Sequence, residues 1–76
     1  MQSLNMEAAN TLTRREREVL EMIGQGKTSR QIAAGMNLSV YTVNNHRKHI
    51  CKKAGLHSTA RLVAFAVSQS ASARVL

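Results

Sequence analysis

Apolar residues recur at helical spacing in four segments of the chain, and polar or glycine-containing stretches separate these segments. The pattern predicts an all-α fold, a four-helix bundle with helices at about residues 14–25, 29–36, 40–54 and 59–69. The side chains expected to face the core are Val19, Leu20 and Ile23, then Ile32, Ala33 and Met36, then Val40, Val43, Ile50, Cys51 and Ala54, and finally Leu62, Val63 and Ala66. Each helix therefore has one apolar face, as a bundle requires.

Local signals mark the ends of these helices. Residues 13–16 (TRRE) and 28–31 (TSRQ) each match a capping box. Apart from the capping bond of Glu16, we expect the charged residues at the start of the first helix to be solvated. Asn37 tolerates the left-handed conformation that ends the second helix, while Ser39 and Gly55 are favourable caps for the third. Because only three residues separate the second and third helices, the two form a predicted helix-turn-helix.

The third predicted helix carries a polar strip beside its apolar face. The strip comprises Tyr41, Asn44, Asn45, Lys48 and Lys52. Asn and Lys side chains recognise base edges and phosphates, so the strip is a candidate surface for the major groove of duplex DNA. For such a strip taken alone, an ordinary solvated surface is the competing interpretation.

The charge of the chain is strongly asymmetric, and this asymmetry favours a nucleic-acid partner. Residues 1–26 hold three Arg and four Glu, whereas residues 27–76 hold eight Lys or Arg and no acidic residue. Such a cationic region attracts polyanions such as duplex DNA. It would also attract an acidic protein, whereas a membrane surface is disfavoured because no wide apolar face remains once the core is buried.

The length of 76 residues allows one small domain with little room for a catalytic cleft, so a binding module is favoured over an enzyme. We expect residues 1–11 to be a disordered linker or an artificial extension, residues 12–70 to form the domain and residues 71–76 to be a tail. A single cysteine, the lack of an apolar run of about 18 residues and the lack of a secretory signal together predict a cytoplasmic protein.

The histidines His46, His49 and His57, together with Cys51, raise the question of a zinc site. His46 and His49 project to one edge of the third predicted helix, whereas Cys51 belongs to its apolar face, so these side chains do not converge. The same divergence argues against a Cys–His catalytic pair. The sequence therefore predicts no metal, no cofactor and no catalytic residue.

The fourth predicted helix holds more apolar surface than one face of a small bundle can use. Phe65 and Val67 flank its inward stripe on both sides, and an exposed apolar strip of this kind usually marks a partner. We expect a homodimer through this helix, with an interface drawn from Leu62, Val63, Phe65, Ala66 and Val67. The alternative is a helix buried on all sides by the terminal segments.

The string LTRREREVLEMIGQGKTSRQIAAGMNLSVYTVNNHRKHICKKAGL resembles the DNA-binding domain of the LuxR/FixJ family of bacterial transcription regulators, which includes NarL-like response regulators. The resemblance runs from Leu12 to about Ala66 and includes the LTxREREVL opening, GKTSxxIA, MxLS and TVxxHxxxIxxKxG. It implies a four-helix domain whose third helix reads the major groove and whose fourth helix pairs subunits, with RNA polymerase as a further candidate partner.

Carried onto this chain, the family's base-reading positions are Asn44, Asn45 and Lys48. The positions expected to contact phosphates are Thr28, Ser29, Ser39, Tyr41, Thr42 and His46 from the resemblance, and Lys52 from the polar strip. The chain departs from the family at Asn44, where a charged residue is frequent, at Gln31, where Glu is common, and at Thr59, near which Arg is frequent. The DNA sequence that it binds therefore does not transfer from relatives.

Two other functions remain open at this point. Region four of a sigma factor has a similar helix-turn-helix but binds promoter DNA only with RNA polymerase; the further capped apolar helix after Gly55 argues against it. A cationic protein-interaction adaptor would bind an acidic protein and would show no preference among DNA sequences beyond charge.

Overall fold

The computed structural model describes residues 11–74, with side chains through residue 69, and in this part it contains helices and no strand. The helices are α1 (Arg14–Gly24), α2 (Ser29–Met36), α3 (Val40–Ala54) and α4 (Thr59–Arg74). The predicted all-α, four-helix fold is confirmed. Residues 1–10 of the linker predicted for residues 1–11 lie outside the described residues, as do residues 75–76 at the end of the tail. No helix within residues 11–74 is long and apolar enough to cross a membrane.

Both predicted capping boxes form. The Thr13 hydroxyl accepts from the Glu16 N–H at 3.1 Å, and the Glu16 carboxylate accepts from the Thr13 N–H at 2.9 Å. At the start of α2, Thr28 and Gln31 make the same reciprocal pair at 3.1 and 2.8 Å. These bonds satisfy backbone N–H groups that have no partner within the helix, so both helices begin at defined residues.

The turn between α2 and α3 is the three-residue segment that the sequence predicts. Asn37 adopts the left-handed conformation with φ 57°, and the Leu38 N–H donates to the Ala33 carbonyl at 2.9 Å. Ser39 then caps α3 by accepting from the Thr42 N–H at 3.0 Å. A short helix, a tight turn and a longer helix therefore follow one another as a helix-turn-helix.

The core lies where the helices meet, with α1 packed against both α3 and α4 and with α2 packed against α3. Its buried apolar side chains are Leu12, Val19, Leu20, Ile23, Ile32, Ala33, Val43, Ile50, Leu62, Phe65 and Ala66. Because α3 contributes only Val43 and Ile50 to the fully buried set, its outer face remains available for a partner.

Three apolar side chains are placed differently from the prediction. Val40 and Val63, expected in the core, are each 38% exposed, and Phe65, expected at the surface, is only 6% exposed. Val40 lies in the first turn of α3, about 60° around the helix from Val43. The buried positions of α4 are Leu62, Phe65 and Ala66, so its inward stripe is centred on Leu62 and leaves Val63 at the edge.

Two helix ends also differ from the prediction. Helix α1 ends at Gly24, one residue earlier than expected. Helix α4 continues to Arg74, five residues beyond the predicted end at residue 69 and into the segment interpreted as a tail. No Gly or Pro interrupts the sequence after residue 59, so nothing local ends the helix there.

Candidate nucleic-acid interface

The outer face of α3 presents the three predicted base-reading side chains together. Asn44 and Lys48 are exposed and Asn45 is half-buried, and all three line one open groove between α3 and the start of α4. Tyr41, 76% exposed, and Lys52 line the same groove. The predicted polar strip is therefore a continuous surface whose amide, ammonium and phenol groups face solvent.

The groove also contains residues that were not predicted to belong to this surface. Arg47 and His57 line it, and the side chains of Cys51 and Leu56 contribute its apolar part. Arg47 lies one turn beyond Asn44, so helical spacing alone could have identified it. His57 follows the left-handed turn at Gly55 and is brought to the groove by the α3–α4 connection, which no helical period describes.

The predicted phosphate-contacting hydroxyls lie at the starts of α2 and α3, where part of their hydrogen-bonding capacity is already used. Thr28 accepts from Gln31, while Ser39 accepts from the Thr42 N–H and donates to the Thr42 hydroxyl at 3.0 Å. Ser29 is half-buried in the first turn of α2. These groups therefore fix the two helix N-termini, whose backbone N–H groups and dipoles attract anions.

His46 is half-buried on α3 and does not line the groove. It is therefore separated from the surface that holds Tyr41 and Lys52. Of the seven positions predicted to contact phosphates, those two lie beside the base-reading side chains, and the four hydroxyls lie at helix starts.

The acidic side chains of the described residues are confined to α1. Glu18 lies 3.4 Å from Arg15 and 3.9 Å from Arg14, so its charge is balanced on its own helix. No described carboxylate lies within salt-bridge distance of Lys48 or Lys52. The groove thus retains its positive charge for an external anion.

The sequence predicts a solvated Glu16, but this residue is buried and connects α1 to α3. Its carboxylate accepts from Lys53 Nζ at 2.7 Å and lies 3.6 Å from His49 Nδ1. Burial raises the pKa of Glu16, but the hydrogen bonds from Lys53 and Thr13 and the charge of Lys53 outweigh it, so the pKa lies below its usual value. Only the capping bond was predictable from the sequence, because Lys53 lies 37 residues further along the chain.

Within the described residues, no group of three or more His, Cys, Asp or Glu side chains could hold a metal ion. His49 faces the Glu16 carboxylate, and Cys51 is half-buried against the core. His49 and Cys51 therefore lie in different surroundings.

The predicted pairing surface on α4 is smaller than expected. Leu62, Phe65 and Ala66 belong to the core of the domain itself, whereas Val63 and Val67 are 38% and 47% exposed. Among the described side chains of α4, these two valines, four residues apart, are the exposed large apolar residues.

The amino-acid sequence matches a family of known proteins. Residues 10–66 match the family described as bacterial regulatory proteins, luxR family. The chain is 46% identical over 54 residues to an uncharacterized response regulatory protein, YgeK, of Escherichia coli strain K12; the match covers 71% of the chain and 37% of the relative.

Two further relatives match over more of the chain. It is 38% identical over 71 residues to the oxygen regulatory protein NreC of Staphylococcus aureus, covering 86% of the chain and 33% of that protein. It is 33% identical over 69 residues to the transcriptional regulatory protein MctR of Rhizobium johnstonii, covering 91% of the chain and 32% of that protein. The chain spans about a third of the length of these curated relatives. No solved structure is significantly similar to the chain.

Proposed function

Because the chain belongs to the luxR family of bacterial regulatory proteins, a family of DNA-binding transcription regulators, we propose that it binds specific duplex DNA sequences through α3. The observation that carries the proposal is the outer face of α3, where Asn44, Asn45 and Lys48 share one exposed surface. An α-helix fits the major groove, and its outward side chains then meet the base edges.

The side chains on this face suit direct reading of bases. An Asn amide can donate to and accept from one adenine at once, and a Lys ammonium can donate to the acceptors of guanine. Each well-placed bidentate contact is worth about 1–3 kcal/mol of discrimination between bases. Asn44, Asn45 and Lys48 are therefore the proposed specificity residues.

The remaining contacts of the proposed complex are with the DNA backbone. Tyr41 and Lys52 flank the specificity residues, and the starts of α2 and α3 offer backbone N–H groups to phosphates. The positions assigned to this role are Thr28, Ser29, Ser39, Tyr41, Thr42, His46 and Lys52. Such contacts orient the domain on the duplex without selecting its sequence.

We further propose that two copies bind one site through α4. Val63 and Val67 supply the exposed apolar surface, which is too small for a permanent dimer, so the DNA serves as the template that brings the copies together. Related half-sites would then lie about one helical turn, roughly 34 Å, apart. RNA polymerase is a further proposed partner, since the relatives include a transcriptional regulatory protein.

The two alternative functions predict different binding behaviour. A sigma-factor-like module would need RNA polymerase to bind its DNA, whereas the proposed function requires binding by the chain alone. An adaptor for acidic proteins would distinguish DNA molecules only by charge. Selection of preferred duplexes from a random pool, with no other protein present, separates these cases.

The test compares the selected duplex with a scrambled duplex of equal length by fluorescence anisotropy at several salt concentrations. Replacing both Asn44 and Asn45 by Ala should remove the preference and leave non-specific affinity intact. Lys48→Ala should weaken selected-site binding by about 1–3 kcal/mol, whereas Lys27→Ala, the same charge change outside the groove, should affect both duplexes equally. Unchanged affinity and salt dependence in Lys48→Ala would refute docking through α3.

A further inference from the structure

We propose that Glu16 is a positioning residue for DNA recognition: it touches no base or phosphate, but it sets the rotation of α3 about its axis. This inference rests on the proposed function, since it concerns how accurately α3 presents its outer face. The residues that carry it are Glu16 and its partners on α3, His49 and Lys53.

The Glu16 carboxylate joins the start of α1 to α3. One oxygen accepts from the Thr13 N–H at 2.9 Å and from Lys53 Nζ at 2.7 Å, and the other lies 3.6 Å from His49 Nδ1. Lys53 Nζ also lies 3.3 Å from the Thr11 carbonyl oxygen. The carboxylate side chain is only 5% exposed, so water competes little for these bonds.

These bonds supply a directional restraint that the apolar core does not. Val43 and Ile50 are the only fully buried side chains of α3, and their packing sets its approximate orientation. Apolar burial itself is not directional, so polar contacts refine that orientation. His49 and Lys53 are four residues apart and lie on one side of α3. The hydrogen bond from Lys53 to Glu16 therefore opposes rotation, and His49 packs beside the same carboxylate. A rotation of about 20° at a side-chain radius of about 6 Å moves a contacting atom by about 2 Å, enough to break a base contact.

Removing the Glu16 charge separates a positioning effect from a charge effect because the two have opposite consequences. Glu16→Gln replaces the carboxylate that holds Lys53 with a neutral amide, so the contact loses its charge attraction and the domain becomes more positive. Charge alone therefore predicts tighter binding to any DNA. Loss of positioning predicts weaker discrimination between sequences. The capping bond should survive, because Gln31 makes the equivalent bond to Thr28 at the start of α2.

The experiment measures the ratio of affinities for the selected and scrambled duplexes in Glu16→Gln and in the matched control Glu18→Gln. Glu18 lies on the same helix, carries the same charge, is partly exposed and pairs only with neighbouring arginines among the described residues. The ratio should fall about 5- to 150-fold in Glu16→Gln, which is the effect of losing one base contact. In Glu18→Gln the ratio should stay at the wild-type value. Circular dichroism at the assay temperature establishes that both variants are folded.

Equal ratios in the two variants would overturn the proposal. If Glu16→Gln does not fold, Lys53→Met carries the test, since that side chain is 34% exposed, with Lys53→Arg as the conservative rescue. If Lys53 instead contacts a phosphate directly, Lys53→Met should lower the affinities for the selected and scrambled duplexes equally, and this result would also overturn the proposal. A loss of affinity for the selected duplex alone, restored in Lys53→Arg, supports it. Absence of any preference in the wild-type chain would instead refute the proposed function.

Discussion

Alanine should stabilise this domain at Gly35 and destabilise it at Gly55. A Cβ at Gly35, inside α2, would meet only the Met22 Cε atom at 3.8 Å, which is an ordinary van der Waals contact. A Cβ at Gly55 would have no atom within 4 Å, but the residue ends α3 with φ 69°. Steric crowding is therefore absent at both positions, and the backbone conformation alone separates them.

The magnitudes follow from that conformational difference. Gly in a helix is less favourable than Ala, and at a compatible position the replacement gains about 0.4–1 kcal/mol in the free energy of unfolding. Placing a Cβ in the left-handed region costs about 1–2 kcal/mol. Since 1 kcal/mol corresponds to about 4–8 °C in a domain of this size, Gly35→Ala should raise Tm by about 2–8 °C and Gly55→Ala should lower it by about 4–16 °C.

Thermal and urea unfolding followed by circular dichroism measures both changes. The two variants control for each other, because the chemical substitution is identical. The sign of the change in the free energy of unfolding distinguishes the two backbone conformations. Gly35→Ala should also leave the affinity for the selected duplex unchanged. A loss of stability at Gly35 would refute the ordinary contact distance between Gly35 and Met22, and a neutral effect at Gly55 would refute the left-handed end of α3.

Two further predictions concern acid stability and pairing. The folded-state pKa of Glu16 lies below the usual 4.5, so its contribution to stability is present above pH 4.5 and should be lost as the pH falls through the lower folded-state pKa. Urea unfolding from pH 6 downward should show this loss in the wild type. In Glu16→Gln the free energy of unfolding should depend less on pH. Val67→Glu should change the free energy of unfolding by at most about 0.5 kcal/mol at this exposed site, yet abolish cooperative binding of two copies to a duplex with two half-sites in sedimentation experiments. Cooperative binding that persists in folded Val67→Glu would exclude α4 as the pairing element.

The features that were predictable from the sequence depend on residues close together in the chain. Each capping box joins residues three apart, and the left-handed turns at Asn37 and Gly55 reflect the conformational range of single residues. The shared outer face of Asn44, Asn45 and Lys48 follows from helical spacing alone. The helix-turn-helix and its candidate surface could therefore be predicted before any tertiary contact was known.

The features that were not predictable depend on how the helices pack. The bond between Glu16 and Lys53 joins residues 37 apart, and no local pattern distinguishes Lys53 from the solvated Lys52. The burial of Phe65 instead of Val63 reflects a rotation of α4 against α1, which helical spacing leaves undetermined. Such choices are made by volume and shape at the contact between helices.

The two capping boxes show how the charge asymmetry is built into the fold. Glu16 closes the first box with a carboxylate, but that carboxylate is buried and neutralised by Lys53. Gln31 closes the second box through its amide oxygen, at 2.8 Å from the Thr28 nitrogen, without adding a negative charge at the exposed start of α2. A carboxylate there would interact favourably with the helix dipole, but it would repel a phosphate. The chain thus satisfies the backbone at both helix starts and leaves residues 22–76 without an acidic side chain, so the attraction of the proposed interface for DNA is not opposed from within.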